Sequence, residues 1–409
     1  MNIINIRVVY FPAIQTRRAD MIQPFKNASG PRLRFGRGEA VFVGEESLAL
    51  GMENPIIITD PGLLKAGVLE PVIQGFKDAR IKFSLFDDAE PNPSDASILR
   101  AKEFYESNDC QGMIGIGGGS AIDTAKAMGT LLTNGGKISD YYGADKPSKR
   151  IPPFITVPTT AGTGSEVTRA SIVTDVEMGT KASIHSDMLY ADVAVVDPSL
   201  LATLPRYFAA GSLTDALTHA IESLGSPRAN PWTEALCYEA ISLIGKYARR
   251  FVENPGDPDA ADSVSLAATL AGASFTNTGL GIVHGLTHPV FNFFRGHHGT
   301  TNGILLAPVM TFNLPAMRQK YAKLAPLLAN PSKPAAINAE DGGAAEATIE
   351  SVHSLALDIG IPPSLGAIGV KEEYLNRMAV EAAKSSTVLT NPVSADEQDM
   401  KKIYLGLLG

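Results

Sequence analysis

Short, continuous apolar runs alternate with glycine-marked turns and helical stretches through the first half of the chain. A run that is apolar at every position predicts a strand buried on both faces. Because these runs alternate with helical patterns, we predict a parallel sheet covered on both sides by helices. The predicted strands are residues 55–60, 81–86, 112–116, 154–157 and 193–197.

The pattern changes after Asp197 and Pro198. Strand signals nearly disappear, and alanine- and leucine-rich stretches with helical periodicity follow, for example at 235–251 and 344–357. We therefore predict an α/β domain over residues 1–198 and an all-α domain over residues 199–409. Residues 330–343, rich in Pro, Ala, Asn and Gly, predict a surface loop between two helices.

Composition and charge narrow the class of protein. The 409 residues suffice for two domains, and 44% hydrophobic with 19% charged residues is ordinary for a soluble globular chain. The net charge of -8 argues against nucleic acid or an anionic membrane as the main partner, since both favour a basic surface. With two cysteines, no signal-peptide pattern and no apolar run of about 20 residues, we expect a cytoplasmic protein.

A glycine-rich turn follows the third predicted strand. Residues 117–126 are Gly-Gly-Gly-Ser-Ala-Ile-Asp-Thr-Ala-Lys, and they open a predicted helix. Glycines allow close backbone approach, and a helix start offers unpaired N–H groups to a phosphate. The turn matches neither the Walker pattern nor a complete GxGxxG. It favours nucleotide binding, with a tight turn that binds no ligand as the alternative.

Two further strand ends carry polar groups. Residues 158–166, Pro-Thr-Thr-Ala-Gly-Thr-Gly-Ser-Glu, are dense in hydroxyl and small residues, and Asp60 ends the first predicted strand. Open parallel sheets bind ligands at the carboxyl ends of their strands. A carboxylate there accepts hydrogen bonds from a ribose 2′-hydroxyl and repels a 2′-phosphate. A turn-forming Asp before Pro61 is the alternative for Asp60.

Five of the seven histidines fall between residues 219 and 298. Asp215 and His219 are four residues apart and share one face of a predicted helix; His284 and His288 repeat that spacing. One carboxylate with several imidazoles suits Fe²⁺ or Zn²⁺. Polar helix faces with hydrogen-bonded core histidines are the alternative for each residue alone, whereas the density of histidines favours a metal.

These motifs, in this order, resemble the iron-containing (group III) alcohol dehydrogenases. The resemblance runs from about residue 31 to the C-terminus. It rests on the turn at 117–126, the loop at 159–168, Asp-Ala-Leu-Thr-His at 215–219, Gly-Ile-Val-His-Gly-Leu-Thr-His-Pro at 281–289 and His-Gly-Thr-Thr-Asn at 298–302.

The resemblance implies an N-terminal nucleotide-binding α/β domain and a C-terminal all-helical metal-binding domain, the dehydroquinate synthase-like architecture. It also implies a homo-oligomer, and it places Phe275 near the substrate. The metal ligands carry over to Asp215, His219, His284 and His298, and His288 to a catalytic histidine near the substrate; His297 fits the ligand spacing less well. The implied NAD contacts are Asp60, Asn92, Gly118, Gly119, Ser120, Asp123, Thr159, Thr160, Thr163 and Lys181.

The chain departs from the family pattern in two places. An extension, residues 1–30, precedes the family's first strand, and no role follows for it from the sequence. Ala170 and the tract 291–295, on the substrate side, are less typical of the family. These departures leave the identity of the substrate open.

The predicted activity is hydride transfer between NAD(H) and a small primary or secondary alcohol or aldehyde, with a metal as Lewis acid. Asp60 predicts NAD(H) over NADP(H), and His288 is predicted to relay the hydroxyl proton. Three alternatives remain. They are an NAD-dependent reductase of a small oxo acid, of the maleylacetate or hydroxybutyrate type; a lyase of the dehydroquinate synthase type; and a non-catalytic protein that binds nucleotide or stores metal.

Overall fold

The computed structural model describes residues 22–175, 179–329 and 343–409. Its strands are β1 (Arg32–Phe35), β2 (Ile56–Ile58), β3 (Ser84–Phe86), β4 (Met113–Gly117), β5 (Gly143–Ala144), β6 (Phe154–Pro158), β7 (Ala170–Asp175), β8 (Thr180–His185) and β9 (Val193–Val196). Its helices are α1 (Val43–Ala49), α2 (Pro61–Lys65), α3 (Glu70–Ala79), α4 (Asp95–Ser107), α5 (Gly119–Asn134), α6 (Arg206–Gly225), α7 (Pro231–Glu253), α8 (Pro258–Thr278), α9 (Ile282–Phe294), α10 (His298–Leu328), α11 (Ala344–Asp358), α12 (Leu375–Ala383) and α13 (Glu397–Leu405).

Six strands form one parallel sheet in the order β1-β9-β6-β4-β2-β3. All five strands predicted from the sequence belong to it. Successive side chains of β2 show that both faces are buried: Ile56 and Ile58 pack in a cluster with Ile122 of α5, whereas Ile57 packs with Phe76 of α3. Burial on both sides explains why these strands are apolar at every position.

A second, three-stranded sheet in the order β5-β8-β7 was not predicted. Strands β7 and β8 pair antiparallel, and most of their residues are only partly buried. Their sequences, Ala-Ser-Ile-Val-Thr-Asp and Thr-Lys-Ala-Ser-Ile-His, mix polar and small residues. They therefore lack the continuous apolar run by which the buried strands were recognised.

Beyond β9, the described residues form helices and turns without another strand. The predicted helical stretches at 235–251 and 344–357 lie within α7 and α11. The predicted fold class, a parallel α/β part followed by a helical part, is confirmed. The domain boundary near Pro198 stays a prediction, and the predicted loop at 330–343 lies outside the described residues except for Gly343.

Membrane crossing was tested on the described helices. No single one is long and apolar enough to cross a membrane. Helices α8 and α9 pass such a test only when taken together, by length and composition, and they are bent by 101° with respect to one another.

A buried lysine holds the loop that follows β6. Lys126 of α5 is fully buried, and its Nζ donates to the carbonyl oxygens of Ser165, Thr168 and Ala170 at 2.6, 2.9 and 2.9 Å. Burial lowers the pKa of Lys126 to about 8, against the opposing effect of Asp123 and then of Glu166. One ammonium group thus binds three backbone carbonyl groups.

Replacing Lys126 with Met is expected to lower the free energy of unfolding by about 3 kcal/mol, because it leaves buried carbonyl and carboxyl groups without their cation. Denaturant unfolding of the two proteins measures the difference. Lys77→Met, at an exposed position of α3, is the matched control and is expected to change stability by less than about 0.5 kcal/mol. Equal losses in the two variants would contradict the prediction.

Candidate functional site

A large cleft of about 1770 Å³ opens between the carboxyl ends of the parallel strands and helices α6, α9 and α10. Small-ligand pockets commonly measure about 300–1,000 Å³, so this cleft has room for more than one small molecule. All the site residues predicted from the sequence line it: Asp60, Asn92, Gly118, Gly119, Ser120, Asp123, Thr159, Thr160, Thr163, Lys181, Asp215, His219, His284, His288 and His298. The fold therefore brings these residues together, while their individual roles stay predictions.

The glycine-rich turn joins β4 to α5 at one side of the cleft. Gly117 has φ 153°, a conformation that L side chains rarely adopt, and Gly118 is the N-cap of α5 without a side-chain cap. The first N–H groups of α5 are consequently without helix partners and lie at the cleft. This arrangement suits a phosphate group.

The loop after β6 contacts this turn directly. A Cβ on Gly119 would lie 2.9 Å from the Thr163 side chain, so the two loops approach as closely as a glycine permits. A Cβ on Gly118 would meet Thr160 only at an ordinary 3.5 Å. The main chain joins the loops too, since Thr159 N donates to Gly117 O at 3.0 Å. The loops thus form one continuous wall.

Asp60 caps a helix and also lines the cleft, while its contact with a cofactor stays a prediction. Its Oδ1 accepts from the N–H groups of Gly62 and Leu63 at 2.9 and 3.1 Å, which makes Asp60 the N-cap of α2. It also lines the cleft, with Oδ2 directed towards Gly117. A test of its role in ligand binding must therefore keep the helix cap.

Three other predicted cofactor contacts differ in how they are held. Asn92 adopts φ 63° and donates its N–H to Ser120 Oγ at 3.2 Å. Asp123 is buried, and its two carboxylate oxygens accept from Ser165 Oγ at 2.6 Å and Ile172 N at 3.0 Å. Lys181 Nζ lies 4.2 Å from the centre of the Phe291 ring. Asp123 is thus tied to the protein, whereas the Lys181 ammonium faces the cleft.

Four of the predicted ligands converge at the opposite side of the cleft. Asp215 Oδ1 lies 3.6 Å from His219 Nε2, 3.7 Å from His284 Nε2 and 3.6 Å from His298 Nε2. The ligand atoms of Asp215, His284 and His298 all lie within 4.8 Å of one another. Three helices supply these side chains: α6, α9 and the first turn of α10.

Close packing of α6 on α10 brings two of these ligands together. A Cβ on Gly299 would lie 2.0 Å from the carbonyl oxygen of Gly211, so the two backbones touch where neither residue carries a side chain. Thr214 Oγ1 donates to Gly299 O at 2.7 Å and fixes the contact. Asp215 directly follows Thr214 on α6, and His298 directly precedes Gly299 on α10. The contact between the helices therefore sets the separation of Asp215 and His298.

Hydrogen bonds orient three of these side chains, and the one from Asn302 Nδ2 lies among the ligand atoms, 3.3 Å from Nε2 of His284 and of His298. His219 Nδ1 contacts Gly162 O at 3.2 Å, and His284 Nδ1 contacts Glu222 Oε2 at 2.6 Å. Asn302 Nδ2 donates to Asp215 Oδ1 at 2.7 Å. His298 Nδ1 is buried and has no partner among the described residues. In each imidazole Nε2 is therefore the nitrogen that faces Asp215.

Glu222 and Asn302 were not recognised from the sequence. A signal for Glu222 existed, because it lies seven residues after Asp215 and hence on the same helix face. Asn302 lies in the quoted motif at 298–302, four residues after His298, but an amide has no obvious part in a ligand set. Its contact with Asp215 depends on the packing of α10 against α6.

Burial and mutual charge perturb the pKa of every ligand. Burial would raise the pKa of Asp215, but His219, His284 and His298 hold it far below its ordinary range. Burial lowers the pKa of His219 to about 4 against the effect of Asp215, and lowers that of His298 well below 6.5. Burial would also lower the pKa of His284, but Glu222 and Asp215 raise it to about 9. The cluster therefore combines one buried carboxylate with imidazoles whose pKa values differ widely.

The cluster has the chemistry of a divalent metal site. Metal–ligand bonds of about 2.0–2.2 Å in a tetrahedral site separate the ligand atoms by roughly 3.4 Å, close to the distances around Asp215 Oδ1. One carboxylate oxygen and imidazole nitrogens are ligands that both Fe²⁺ and Zn²⁺ accept. Asp215, His284 and His298 thus fit a metal, whereas His219 Nε2 is near Asp215 Oδ1 but is not in the group whose ligand atoms all lie within 4.8 Å of one another.

Three neighbours of the cluster are not part of it. Phe275 stacks on His219 with ring centres 4.3 Å apart. His297 is the N-cap of α10 through Nδ1, which accepts from Thr300 N at 3.3 Å, in keeping with its poorer fit to the ligand spacing. The His288 ring lies 6.0 Å from that of His298.

The pKa of His288 is far lower than that of an unperturbed imidazole, which is about 6.5. Burial, then Lys181 and His284, lower it to about 3. His288 is therefore neutral throughout the physiological range of pH.

Comparisons with known proteins decide what this site belongs to. The family model described as iron-containing alcohol dehydrogenase matches residues 30–198, and the model of that family's C-terminal part matches residues 208–408. The chain belongs to the iron-containing alcohol dehydrogenase family. The resemblance stated from the motifs is thereby confirmed.

Individual relatives of this family match the chain over most of its length. Alcohol dehydrogenase 4 of Schizosaccharomyces pombe is 36% identical over 90% of this chain and 86% of its own. NAD-dependent methanol dehydrogenase of Bacillus methanolicus is 33% identical over 92% of this chain and 98% of its own. The solved structure of a 1,3-propanediol oxidoreductase superposes with a TM-score of 0.89 at 33% identity, covering 94% of this chain and all of that one.

Membership of the family gives the reaction class. The chain is an oxidoreductase that interconverts alcohols and aldehydes with NAD(H). The predicted alternatives, a reductase of oxo acids and a lyase of the dehydroquinate synthase type, are not favoured by these relatives.

Proposed function

We propose that the cleft binds NAD(H) along the glycine-rich wall and a divalent metal, Fe²⁺, on Asp215, His219, His284 and His298. The observation that carries the proposal is the approach of three imidazole Nε2 atoms to one carboxylate oxygen, across the cleft from a helix start without a side-chain cap. Zn²⁺ accepts the same ligands and is the alternative metal. The substrate class is a small primary or secondary alcohol or its aldehyde.

The dinucleotide is assigned to the first turn of α5 because that turn offers unpaired N–H groups and a favourable helix dipole. Asp60, at the end of β2, is assigned to the ribose 2′-hydroxyl. The proposed contacts along the wall between these two positions are Asn92, Gly118, Gly119, Ser120, Asp123, Thr159, Thr160, Thr163 and Lys181. Because Asp123 already accepts two protein hydrogen bonds, its share in the binding is expected to be indirect.

A metal held by these four residues would supply Lewis-acid chemistry at the substrate oxygen, and NAD(H) in the cleft would supply the hydride chemistry. The chain itself orients the reactants and excludes water. Phe275, stacked on His219, presents an apolar face to the cleft. His288 is proposed to relay the hydroxyl proton during oxidation and, because its pKa is only about 3, to pass the proton on without retaining it. A cytoplasmic location and homo-oligomeric assembly stay predictions.

His284→Ala is expected to abolish metal binding and turnover while leaving NAD affinity within about twofold, since His284 does not contact the glycine-rich wall. Metal content of anaerobically purified protein, NADH absorbance with a panel of small alcohols and aldehydes, and NAD titration measure the three properties. His353→Ala, at an exposed histidine of α11, is the control and should match the unaltered chain. Full metal occupancy in His284→Ala would refute the ligand assignment.

Asp60→Asn is expected to raise the use of NADP(H) relative to NAD(H) by about tenfold, because it removes a charge that repels a 2′-phosphate. Asn is as good an N-cap as Asp, so α2 keeps its cap and the comparison reports the charge alone. Ratios of kcat/KM for the two coenzymes measure the change. The assignment fails if the unaltered chain already prefers NADPH.

His288→Gln is expected to keep the metal and lower turnover in alcohol oxidation by about 100-fold, because a proton acceptor is removed without a ligand. As the pKa of His288 is about 3, the loss should be nearly constant between about pH 6 and 8. Turnover and metal content measured across that range test it. If metal is lost as completely as from His284→Ala, His288 is a group that supports the ligands and the relay is disproved.

A further inference from the structure

The carboxylate of Glu222 lies beneath the start of α9, next to the ligand cluster. Its side chain is 4% exposed. Glu222 follows His219 by three residues and Asp215 by seven on α6, so one face of this helix carries two ligands and then a buried acid. A buried carboxylate is costly unless hydrogen bonds satisfy it. Its partners therefore show what holds it there.

Both oxygens of Glu222 accept from α9. Oε1 accepts from the backbone N–H of Val283 at 2.7 Å, and Oε2 lies 2.6 Å from Nδ1 of His284. Carboxylate oxygens accept hydrogen bonds, so Nδ1–H of His284 is the donor in the second bond. With Nδ1 engaged by Glu222, Nε2, the atom that faces Asp215 Oδ1, is the nitrogen left to coordinate a metal.

The first turn of α9 is shaped to admit this carboxylate. Gly281, the N-cap, provides no side-chain cap, and a Cβ there would lie 2.8 Å from Glu222 Oε1. Val283 N–H is among the first N–H groups of the helix, which have no partner within it. Asn391 Oδ1 accepts from Ile282 N at 3.3 Å and caps the same turn from another side. Glu222 thus holds the backbone and the side chain of consecutive residues at once.

We propose that Glu222 is a positioning residue that fixes the tautomer and direction of His284 and thereby sets the affinity of the chain for its metal. The inference rests on the metal site proposed above. It differs from a purely structural cap, because the bond to His284 determines which ring nitrogen is free to coordinate. Carboxylate partners of ligating histidines commonly affect metal affinity in this way.

The arrangement requires a carboxylate. An amide at this position has one acceptor oxygen for two donors. If that oxygen accepts from Val283 N, the amide N–H faces His284 Nδ1 and leaves the proton on Nε2, where the metal would bind. If the amide is turned round, its N–H faces that of Val283 and both lose their bond. Glu222→Gln therefore preserves shape and disrupts the proton pattern.

Metal binding by the protein, after its metal has been removed with a chelator, tests the proposal. The unaltered chain, Glu222→Gln and Glu222→Asp are titrated with Zn²⁺, and with Fe²⁺ under anaerobic conditions, in competition with a chelator. Glu222→Gln is expected to bind metal about 10- to 100-fold more weakly. Glu222→Asp keeps the charge but is too short to reach both donors, so an intermediate loss is expected.

Asn391→Ala is the matched control, because it removes a cap of the same helix start without touching His284. It is expected to lower the thermal stability of the metal-free protein and to leave metal affinity within about twofold of the unaltered chain. Compared with Asn391→Ala, Glu222→Gln is expected to lose more metal affinity and less thermal stability. Equal metal affinity of Glu222→Gln and the unaltered chain would overturn the proposal.

Failure of this inference can be distinguished from failure of the proposed metal site. If Glu222→Gln does not fold, Glu222→Asp decides, and unaltered metal affinity in that variant overturns the proposal. If the unaltered chain itself binds neither Zn²⁺ nor Fe²⁺, both the proposed metal site and the proposed role of Glu222 are refuted. Binding by the unaltered chain with no effect of Glu222 refutes this inference alone.

Discussion

The buried carboxylate of Asp215 is the group on which the site depends. Burial would favour its neutral form, yet three imidazoles at 3.6–3.7 Å and the amide of Asn302 hold it ionised. A charge of this kind is tolerated inside a helical core only when its partners are fixed. The positions of α6, α9 and α10 are therefore constrained by one oxygen atom, and a divalent cation is the partner that this constraint suits.

Two close backbone contacts make that convergence possible. Gly211 and Gly299 let α6 and α10 touch, and Gly281 lets the Glu222 carboxylate reach the start of α9. A larger side chain would collide with the His297 ring at Gly211, with the backbone of Gly211 at Gly299, and with the Glu222 carboxylate at Gly281. The ligand set consequently depends on small residues that have no chemistry of their own, because they determine how near the helices carrying Asp215 and the histidines can approach.

The glycine-rich wall of the cleft depends on another buried charge. Lys126 binds three carbonyl groups of the loop after β6 and keeps that loop against the glycine-rich turn. Glu166 of the same loop accepts from Thr269 of α8 at 2.9 Å. One loop is thus held by the helix that follows the glycine turn and by a helix of the C-terminal half. The wall of the cleft is thus held by hydrogen bonds from two helices, α5 and α8.

The spacing of residues along the chain was sufficient to predict the parallel strands, the glycine-rich helix start and part of the proposed ligand set. Uninterrupted apolar runs specified the parallel strands, the glycines after β4 specified a tight helix start, and Asp215 with His219 had to share a helix face. Only the tertiary structure decided what depends on packing between distant segments. It brought His284 and His298 to Asp215, placed Glu222 behind His284, and gave Asp60 a helix cap as well as a place in the cleft. The half-buried β7 and β8 escaped prediction although they pair with each other, because they mix polar and small residues and lack the continuous apolar run of the buried strands.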